Sequence, residues 1–233
     1  MQTDKPAFFG TTNTCFHCGD TSAEIICPDC EARIEAANAA AEQRRAEQAT
    51  QRRLDLFREK VGDYADTVKD LLPATAARRI AGEYFVGGKA GLTISGPGDT
   101  GKTRACVWIA GQEVLAGRWV DFRQCGDLRR EVGDHARNGE FGRAVKPLMQ
   151  CDVLILDDFG NHEFTRTTEE FFLSLLERRT NGGRRTFVTS QYTSAQLRKL
   201  FTTEQMADAI LRRIGRQYAT LVNTANNTVT HHQ

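Results

Sequence analysis

A glycine-rich octapeptide carries the clearest chemical signal in this chain of 233 residues. Residues 96–103 have the spacing G-x-x-x-x-G-K-T, which is typical of a loop that wraps the phosphates of a nucleotide. Glycines let backbone N–H groups point at an anion, and a helix that starts there adds partial positive charge. Lys102 would then reach the β- and γ-phosphates, and the Thr103 hydroxyl would bind Mg²⁺. The alternative interpretation is a glycine-rich turn without a ligand. The residues predicted to contact the nucleotide are Gly96, Pro97, Gly98, Asp99, Thr100, Gly101, Lys102, Thr103 and Arg104.

Two adjacent carboxylates, Asp157 and Asp158, follow an aliphatic run at residues 153–156. Such a run is expected of a central parallel strand that is buried on both faces. Because open α/β sheets bind ligands at the carboxyl ends of their strands, the pair should lie beside the phosphate loop. We expect Asp157 to hold the Mg²⁺ shell and Asp158 to orient or deprotonate the attacking water. A helix cap or turn, which aspartate often supplies, is the competing interpretation.

Four of the seven cysteines form two C-x2-C pairs separated by eight residues. These are Cys15, Cys18, Cys27 and Cys30. In a reducing compartment, paired motifs of this kind predict one tetrahedral Zn²⁺ held by four thiolates, with disulfides or a redox pair as the alternative. The short spacing favours a compact knuckle. Cys106, Cys125 and Cys151 stand in apolar surroundings and are predicted to be core residues.

Composition limits the classes of partner. The net charge of +1 gives no overall attraction to nucleic acid, so a DNA contact must come from a local patch. No run of 18 apolar residues is present, so no membrane span is expected. The first ten residues lack the pattern of a secretory signal, which favours a cytoplasmic location.

The elements that position these residues alternate between strand and helix from about residue 72, which predicts an α/β fold with a central parallel sheet. The patterns predict strands at residues 92–95, 119–122, 153–156 and 186–189 and helices at residues 104–117 and 127–137. Capping motifs predict further helices that begin at Thr167, Thr193 and Thr202. The polar residues 223–233 are expected to fray.

Three regions are predicted along the chain. Residues 1–30 form a small zinc-binding module with four cysteine ligands, and this module has too little apolar material to fold without the ion. Residues 31–71 form a helical spacer and partner-binding region, and residues 72–233 form the nucleotide-binding domain. Strong helix formers dominate the spacer, and large apolar side chains are nearly missing from residues 35–53. The spacer helix should therefore be exposed to solvent over most of its length. The apolar residues that begin at Leu54 can pack against a core.

The order of these motifs resembles the AAA+ ATPases of the DnaC/IstB type, which include helicase loaders and transposition helper ATPases. The resemblance covers about residues 72–222. The phosphate loop resembles the first nucleotide motif of the family, and Asp157-Asp158 resembles the second in its DD form. Residues 184–190 resemble the strand that leads to the first sensor. The resemblance implies an AAA+ P-loop ATPase with a reduced helical lid that uses ATP and Mg²⁺.

Two residues depart from the family pattern, and a third differs from AAA+ enzymes in general. Asp99 stands where the loop usually has a third glycine. A carboxylate that faces the phosphates would repel them, so either Asp99 points to solvent or nucleotide binding is weakened. Gln191 stands where the first sensor usually has Asn, so it is the catalytic amide that the resemblance implies. Asp158 is one methylene shorter than the Glu usual in AAA+ enzymes. We therefore expect slow hydrolysis, which suits a switch better than a motor.

The resemblance also implies an arginine that reaches the nucleotide of a neighbouring subunit. Arg213 fits best because it directly precedes the apolar Ile214, and Arg212 and Arg216 are rivals. ATP would then bridge the subunits of a homo-oligomer. The simpler interpretation is that all three arginines are solvated helix charges.

A basic segment at residues 137–146 is the candidate DNA contact. It places Arg137, Phe141, Arg143 and Lys146 in a glycine-containing loop, a pattern that suits single-stranded DNA but fits an ordinary exposed loop at least as well. The resemblance implies a helicase loader that holds single-stranded DNA and delivers a replicative helicase. The alternatives are a transposition helper that remodels duplex DNA and a nucleotide-sensing binding module with little hydrolysis.

Overall fold

The computed structural model describes residues 13–22, 24–68, 76–87, 91–137, 141–215, 219–223 and 228–232. It divides into two compact units, Met1–Gln51 and Arg52–Gln233. In the first unit, β1 (Asn13–Thr14) and β2 (Thr21–Ser22) pair in antiparallel orientation. The helix α1 (Pro28–Val61) begins there with acidic residues in its first turn and ends with basic residues in its last turn, which complements the helix dipole.

A six-stranded sheet is the centre of the second unit. Its strands are β3 (Leu92–Ser95), β4 (Val120–Gln124), β5 (Val153–Asp157), β6 (Arg185–Ser190), β7 (Ala219–Asn223) and β8 (Thr228–His232). They lie in the order β4-β5-β6-β3-β7-β8, and all neighbours are parallel except β7 and β8. This order places β6 between β3 and β5, so the carboxyl ends of these three strands share one edge of the sheet. The predicted α/β fold class with a parallel sheet is confirmed.

Helices cover the sheet on both faces. They are α2 (Ala76–Gly87), α3 (Lys102–Leu115), α4 (Cys125–Arg137), α5 (Phe141–Gln150), α6 (Arg166–Asn181), α7 (Ser194–Arg198) and α8 (Glu204–Gly215), with a 3-10 helix at Gly62–Val68. Alternate residues of β5 enter two different hydrophobic clusters. Val153 and Ile155 pack with α2 and α3, whereas Leu154 and Leu156 pack with α4 to α8. A strand buried on both faces therefore explains the aliphatic run.

The end of the predicted spacer belongs to the sheet unit. Leu54, Phe57 and Val61 at the end of α1 are at most 4% exposed and pack in the same cluster as β3. The boundary between the two units accordingly falls between residues 51 and 52. The predicted limit between the spacer and the nucleotide-binding domain at residue 72 stays a prediction.

The start of α6 differs from the prediction. Thr167 is not the capping residue, because Thr165 caps the helix and the Thr165 side chain accepts a hydrogen bond from the Thr168 N–H. The Thr165 N–H in turn donates to the Thr168 hydroxyl over 2.9 Å. A threonine thus performs the reciprocal role that the motif normally assigns to Glu or Gln, which is why the pattern predicts the cap two residues late.

The two later capping motifs have different outcomes. The predicted pair of Thr193 and Gln196 caps α7. Before α8, however, the Thr203 hydroxyl accepts from the helix N–H of Met206, whereas the Thr202 hydroxyl donates over 2.5 Å to the buried Glu169. A tertiary contact therefore displaced the predicted cap by one residue.

The carboxyl-terminal residues also differ from the prediction. The residues Thr228–His232 form β8 and pair with β7, so the expected fraying is wrong for that stretch. Among the helices that the structure describes, none has the length and apolar character needed to cross a membrane.

Candidate nucleotide site

The phosphate loop connects β3 to α3 and borders a cavity of about 370 Å³. Residues 98–104 line this cavity together with Tyr64, Asp158 and Gln191. Gly101 has a φ of 81°, a left-handed conformation that glycine adopts without strain, and its carbonyl accepts the first hydrogen bond of α3 from Ala105. The free N–H groups at the start of α3 therefore lie at the cavity, as an anion site requires.

Lys102 is 6% exposed and its ammonium folds back onto the loop. Its Nζ atom donates to the Pro97 carbonyl oxygen over 2.5 Å and to the Thr100 hydroxyl over 3.4 Å. Burial lowers the pKa of Lys102, and the carboxylates of Asp158, Asp157 and Asp99 act in the opposite direction. A phosphate oxygen is a stronger acceptor for this ammonium than a carbonyl, so the lysine is ready for an anionic ligand.

Asp157 forms the buried acidic end of β5, with 1% of its surface exposed. Its Oδ1 atom accepts a hydrogen bond from the Thr103 hydroxyl over 2.9 Å and another from the Thr189 hydroxyl over 2.6 Å. Burial raises the pKa of Asp157, whereas the two threonine hydroxyls lower it. The structure thus brings together the two residues predicted to bind magnesium.

Thr189 is a site residue that sequence reasoning missed. It is completely buried, and besides its bond to Asp157 its hydroxyl oxygen accepts the Asp158 N–H over 3.0 Å. The parallel register pairs Leu156 with Val188, which places the next residues of β5 and β6 side by side. The sequence signal that could have identified Thr189 is a hydroxyl residue near the end of the strand that leads to the predicted sensor.

Asp158 and Gln191 complete the polar side of the cavity. Asp158 has a φ of 55°, a conformation in which aspartate is one of the better tolerated residues. Gln191 is exposed directly after β6. Both residues lie where a water-orienting acid and a sensor amide would be needed, and their catalytic roles stay predictions.

Gly160 explains the tight turn that follows the acidic pair. Its φ is 93°, and a Cβ atom on it would lie 2.3 Å from Cδ2 of Leu197. The neighbouring Phe159 carbonyl accepts the Ser190 hydroxyl over 2.7 Å. Close packing against α7 therefore fixes the position of the acidic turn relative to β6.

The 3-10 helix after α1 supplies a wall of the cavity that the sequence did not indicate. Tyr64 lines the cavity, and the guanidinium of Arg104 lies 5.8 Å from the centroid of its ring. Arg104 also donates to the Thr67 hydroxyl over 3.0 Å. Arg104 was predicted as a nucleotide contact and does border the cavity, but two of its interactions are with this helix.

Arg213 does not line the cavity of its own chain. Its guanidinium donates to the Ala209 carbonyl over 2.8 Å and to the carboxylate of Glu177 over 3.1 Å. Arg212 is exposed on the same helix, and Arg216 lies outside the described residues. The intersubunit role therefore stays a prediction.

The four predicted zinc ligands come together in the first unit. The sulfur atoms of Cys15, Cys18, Cys27 and Cys30 all lie within 4.8 Å of one another. The Cys18 and Cys27 sulfurs are 3.6 Å apart, too far for a disulfide and close to the spacing of two thiolates on a zinc ion about 2.3 Å from each. Backbone N–H groups, foremost that of Cys27, lower the pKa of Cys15 to about 6, which favours its thiolate form, whereas the side-chain hydrogen bond with Cys27 raises the pKa of Cys30. The donor set fits zinc.

The candidate DNA segment is largely helical. α4 ends at Arg137 and α5 begins at Phe141, so the predicted loop is wrong for residues 141–146. Arg137 forms an exposed ion pair with Asp134, and Lys146 is exposed on α5. The side chains of Phe141 and Arg143 lie outside the described residues.

The strand order, the phosphate loop after β3 and the acidic pair at the end of β5 define a P-loop ATPase fold of the AAA+ type. Solved structures confirm this fold. The chain superposes on "Crystal Structure of the DnaI" with a TM-score of 0.55 and 23% identity, covering 71% of this chain and 93% of that one. For "Crystal structure of the DnaC helicase loader" the TM-score is 0.55 and the identity 19%, covering 69% and 98%. Residues 30–233 match the model of the IstB-like ATP binding protein family, so the chain belongs to that family.

Curated relatives come from insertion sequences. An insertion sequence ATP-binding protein of Sinorhizobium fredii is 28% identical over 160 residues, which cover 69% of this chain and 61% of the relative. The insertion sequence IS1162 ATP-binding protein of Pseudomonas fluorescens is 30% identical over 104 residues, which cover 45% of each protein. The chain thus spans about three fifths or less of the length of these relatives.

Proposed function

We propose that this chain is a magnesium-dependent ATPase that hydrolyses ATP slowly and acts as a switch. The observation that carries this proposal is the group formed by the buried Lys102, the Thr103 hydroxyl and the Asp157 carboxylate beside the phosphate loop. Membership of an ATP-binding family supports the choice of nucleotide.

Thr103 and Asp157 would hold the magnesium ion. Both offer oxygen atoms, which Mg²⁺ prefers, and they already lie 2.9 Å apart. The ion would neutralise charge on the β- and γ-phosphates. Thr189 positions the Asp157 carboxylate through its hydrogen bond, so the ligand is oriented before the ion arrives.

Hydrolysis would depend on residues at the other side of the cavity. Asp158 would orient the attacking water or accept its proton, and Lys102 would stabilise charge on the transferred phosphoryl group. Gln191 would contact the terminal phosphate. Arg213 of an adjacent copy would add positive charge, so ATP would hold a homo-oligomer together.

The proposed task is the loading of a replicative helicase onto single-stranded DNA. The family match begins at residue 30, so Cys15, Cys18 and Cys27 precede it. The resemblance to helicase loaders implies an N-terminal region that grips the helicase, and the zinc module would have this role. Zinc would be needed for that grip because so small a module has little apolar core.

A pull-down with purified replicative helicase in the presence of ATP tests this assignment. The double variant Cys15→Ser/Cys18→Ser should lose helicase capture but bind ATP as the wild type does. Capture at the wild-type level would refute the partner-binding role of the module. A deletion control should end at residue 51, because Leu54 and Phe57 belong to the core of the sheet unit.

A second function is favoured by the curated relatives, which are insertion-sequence proteins. A transposition helper would bind duplex DNA more tightly than single-stranded DNA when ATP is present, whereas a loader would show the opposite preference. Fluorescence anisotropy with both forms of one DNA sequence separates the two, with Lys102→Ala as the variant that should remove ATP dependence. A passive nucleotide sensor would hydrolyse ATP at the same rate with and without Lys102.

A further inference from the structure

Asp99 lies in the middle of the phosphate loop with a φ of 55°. This left-handed conformation costs glycine nothing and most other residues about 1–2 kcal/mol, with aspartate among the better tolerated exceptions. Glycine would therefore fit the backbone better than the residue that is present. The structure shows that the loop keeps a glycine-type geometry while carrying a carboxylate.

The charges around the cavity make this carboxylate unfavourable for a nucleotide. Asp99 and Asp158 both line the cavity, and Asp157 lies beside it, bound to the hydroxyl of Thr103. The cations that line it are Lys102 and Arg104, and Arg104 already interacts with Thr67 and Tyr64. Magnesium would neutralise the negative charge of Asp157, because the ion would bind to that carboxylate. Asp99 is exposed and lines the same cavity as Lys102, and its carboxylate acts to raise the pKa of that ammonium, so its charge also acts where the phosphates would lie.

We propose that Asp99 is a nucleotide-release residue. Its carboxylate repels the phosphates of bound ADP and ATP, so nucleotides leave the site quickly and exchange without help from another protein. This proposal rests on the proposed function, because it assumes that the cavity binds ATP. Repulsion within a formed complex acts mainly on the dissociation rate, as most changes within one binding site do.

Fast release of nucleotide would determine how the proposed switch responds to ATP and ADP. In many ATPases the departure of product limits turnover. Here ADP would leave without delay, and the bound state would follow the ratio of ATP to ADP in solution. Contacts that form only in an assembly would then be needed to retain ATP.

The test measures the dissociation rate of a fluorescent ADP analogue from the full chain with magnesium, by stopped-flow displacement with excess unlabelled ADP. Asp99→Asn removes the charge and keeps a side chain that tolerates φ near 55°. We expect it to slow release by at least about tenfold, equivalent to about 1.4 kcal/mol. Asp99→Gly should slow release by about as much, because it removes the same charge.

Asp127→Asn is the matched control, since it makes the same charge change on the exposed surface of α4 and should leave the rate unchanged. Thermal unfolding without nucleotide checks that each variant is folded. Equal dissociation rates for wild type and Asp99→Asn overturn the proposal. Slower dissociation from Asp99→Gly alone also overturns it, because the effect would then come from the backbone and not from the charge. If no variant binds the analogue, the proposed function fails as well. Binding that is resolved only in Asp99→Asn and Asp99→Gly supports the proposal.

Discussion

Thr189→Val removes one hydroxyl from the end of β6 while keeping the shape of the side chain. The hydroxyl donates to Asp157 over 2.6 Å and accepts the Asp158 N–H over 3.0 Å. Leaving buried polar groups without a partner costs about 1–3 kcal/mol each, and bonds to charged groups are at the upper end. We expect the free energy of unfolding to fall by about 3 kcal/mol.

The same change should be visible in the pH dependence of stability. The Thr189 hydroxyl lowers the pKa of Asp157 against the effect of burial, so its removal raises that pKa further. A carboxyl group whose folded pKa is raised favours the folded state while it is protonated. The stability deficit of the variant should therefore be smallest below the ordinary pKa of 3.8 and grow as the pH rises through the folded pKa.

Urea unfolding at acidic and neutral pH measures both effects, and a magnesium titration of nucleotide binding measures the functional effect. Binding should need more magnesium, because the Asp157 carboxylate is no longer held in place. Thr189→Ser keeps the hydroxyl and should restore most of the stability and magnesium affinity. If valine and serine behaved alike, or if valine matched the wild type, the assigned role of the hydroxyl would be wrong.

Three further predictions concern stability and zinc. Arg179 is 1% exposed, and its guanidinium donates to several main-chain carbonyls. Arg179→Met should therefore lower the free energy of unfolding by about 3 kcal/mol or more. An unchanged midpoint in a urea titration would contradict this prediction. Gly160→Ala should lower the free energy of unfolding by about 1–3 kcal/mol, because the added Cβ would overlap Leu197. As a control, the Cβ added by Gly133→Ala in α4 would have no other atom within 4 Å, so this variant should be as stable as the wild type or more stable in the same assay. Chelation of zinc should expose four reactive thiols near the N-terminus without lowering the melting temperature of the sheet unit, and a coincident loss of both would show that the unit depends on the ion.

The sequence predicted those parts of the protein that local patterns encode. The strand at β3, the loop and α3 follow one another without a gap, so their glycines, lysine and hydroxyl identify the phosphate site directly. The aliphatic run of β5 and its acidic end are equally local. The spacing of four cysteines within 16 residues likewise brings their sulfurs together over a short distance.

The tertiary structure decided how distant segments meet. The site role of Thr189 depends on β6 lying beside β5 in one register, and the cap of α8 depends on Thr202 being used by Glu169. Tyr64 reaches the cavity from a segment more than 30 residues before the loop. Such contacts depend on chain packing, which local spacing does not specify. The sequence therefore determined the chemistry of the phosphate site, and folding decided which further side chains enclose and orient it.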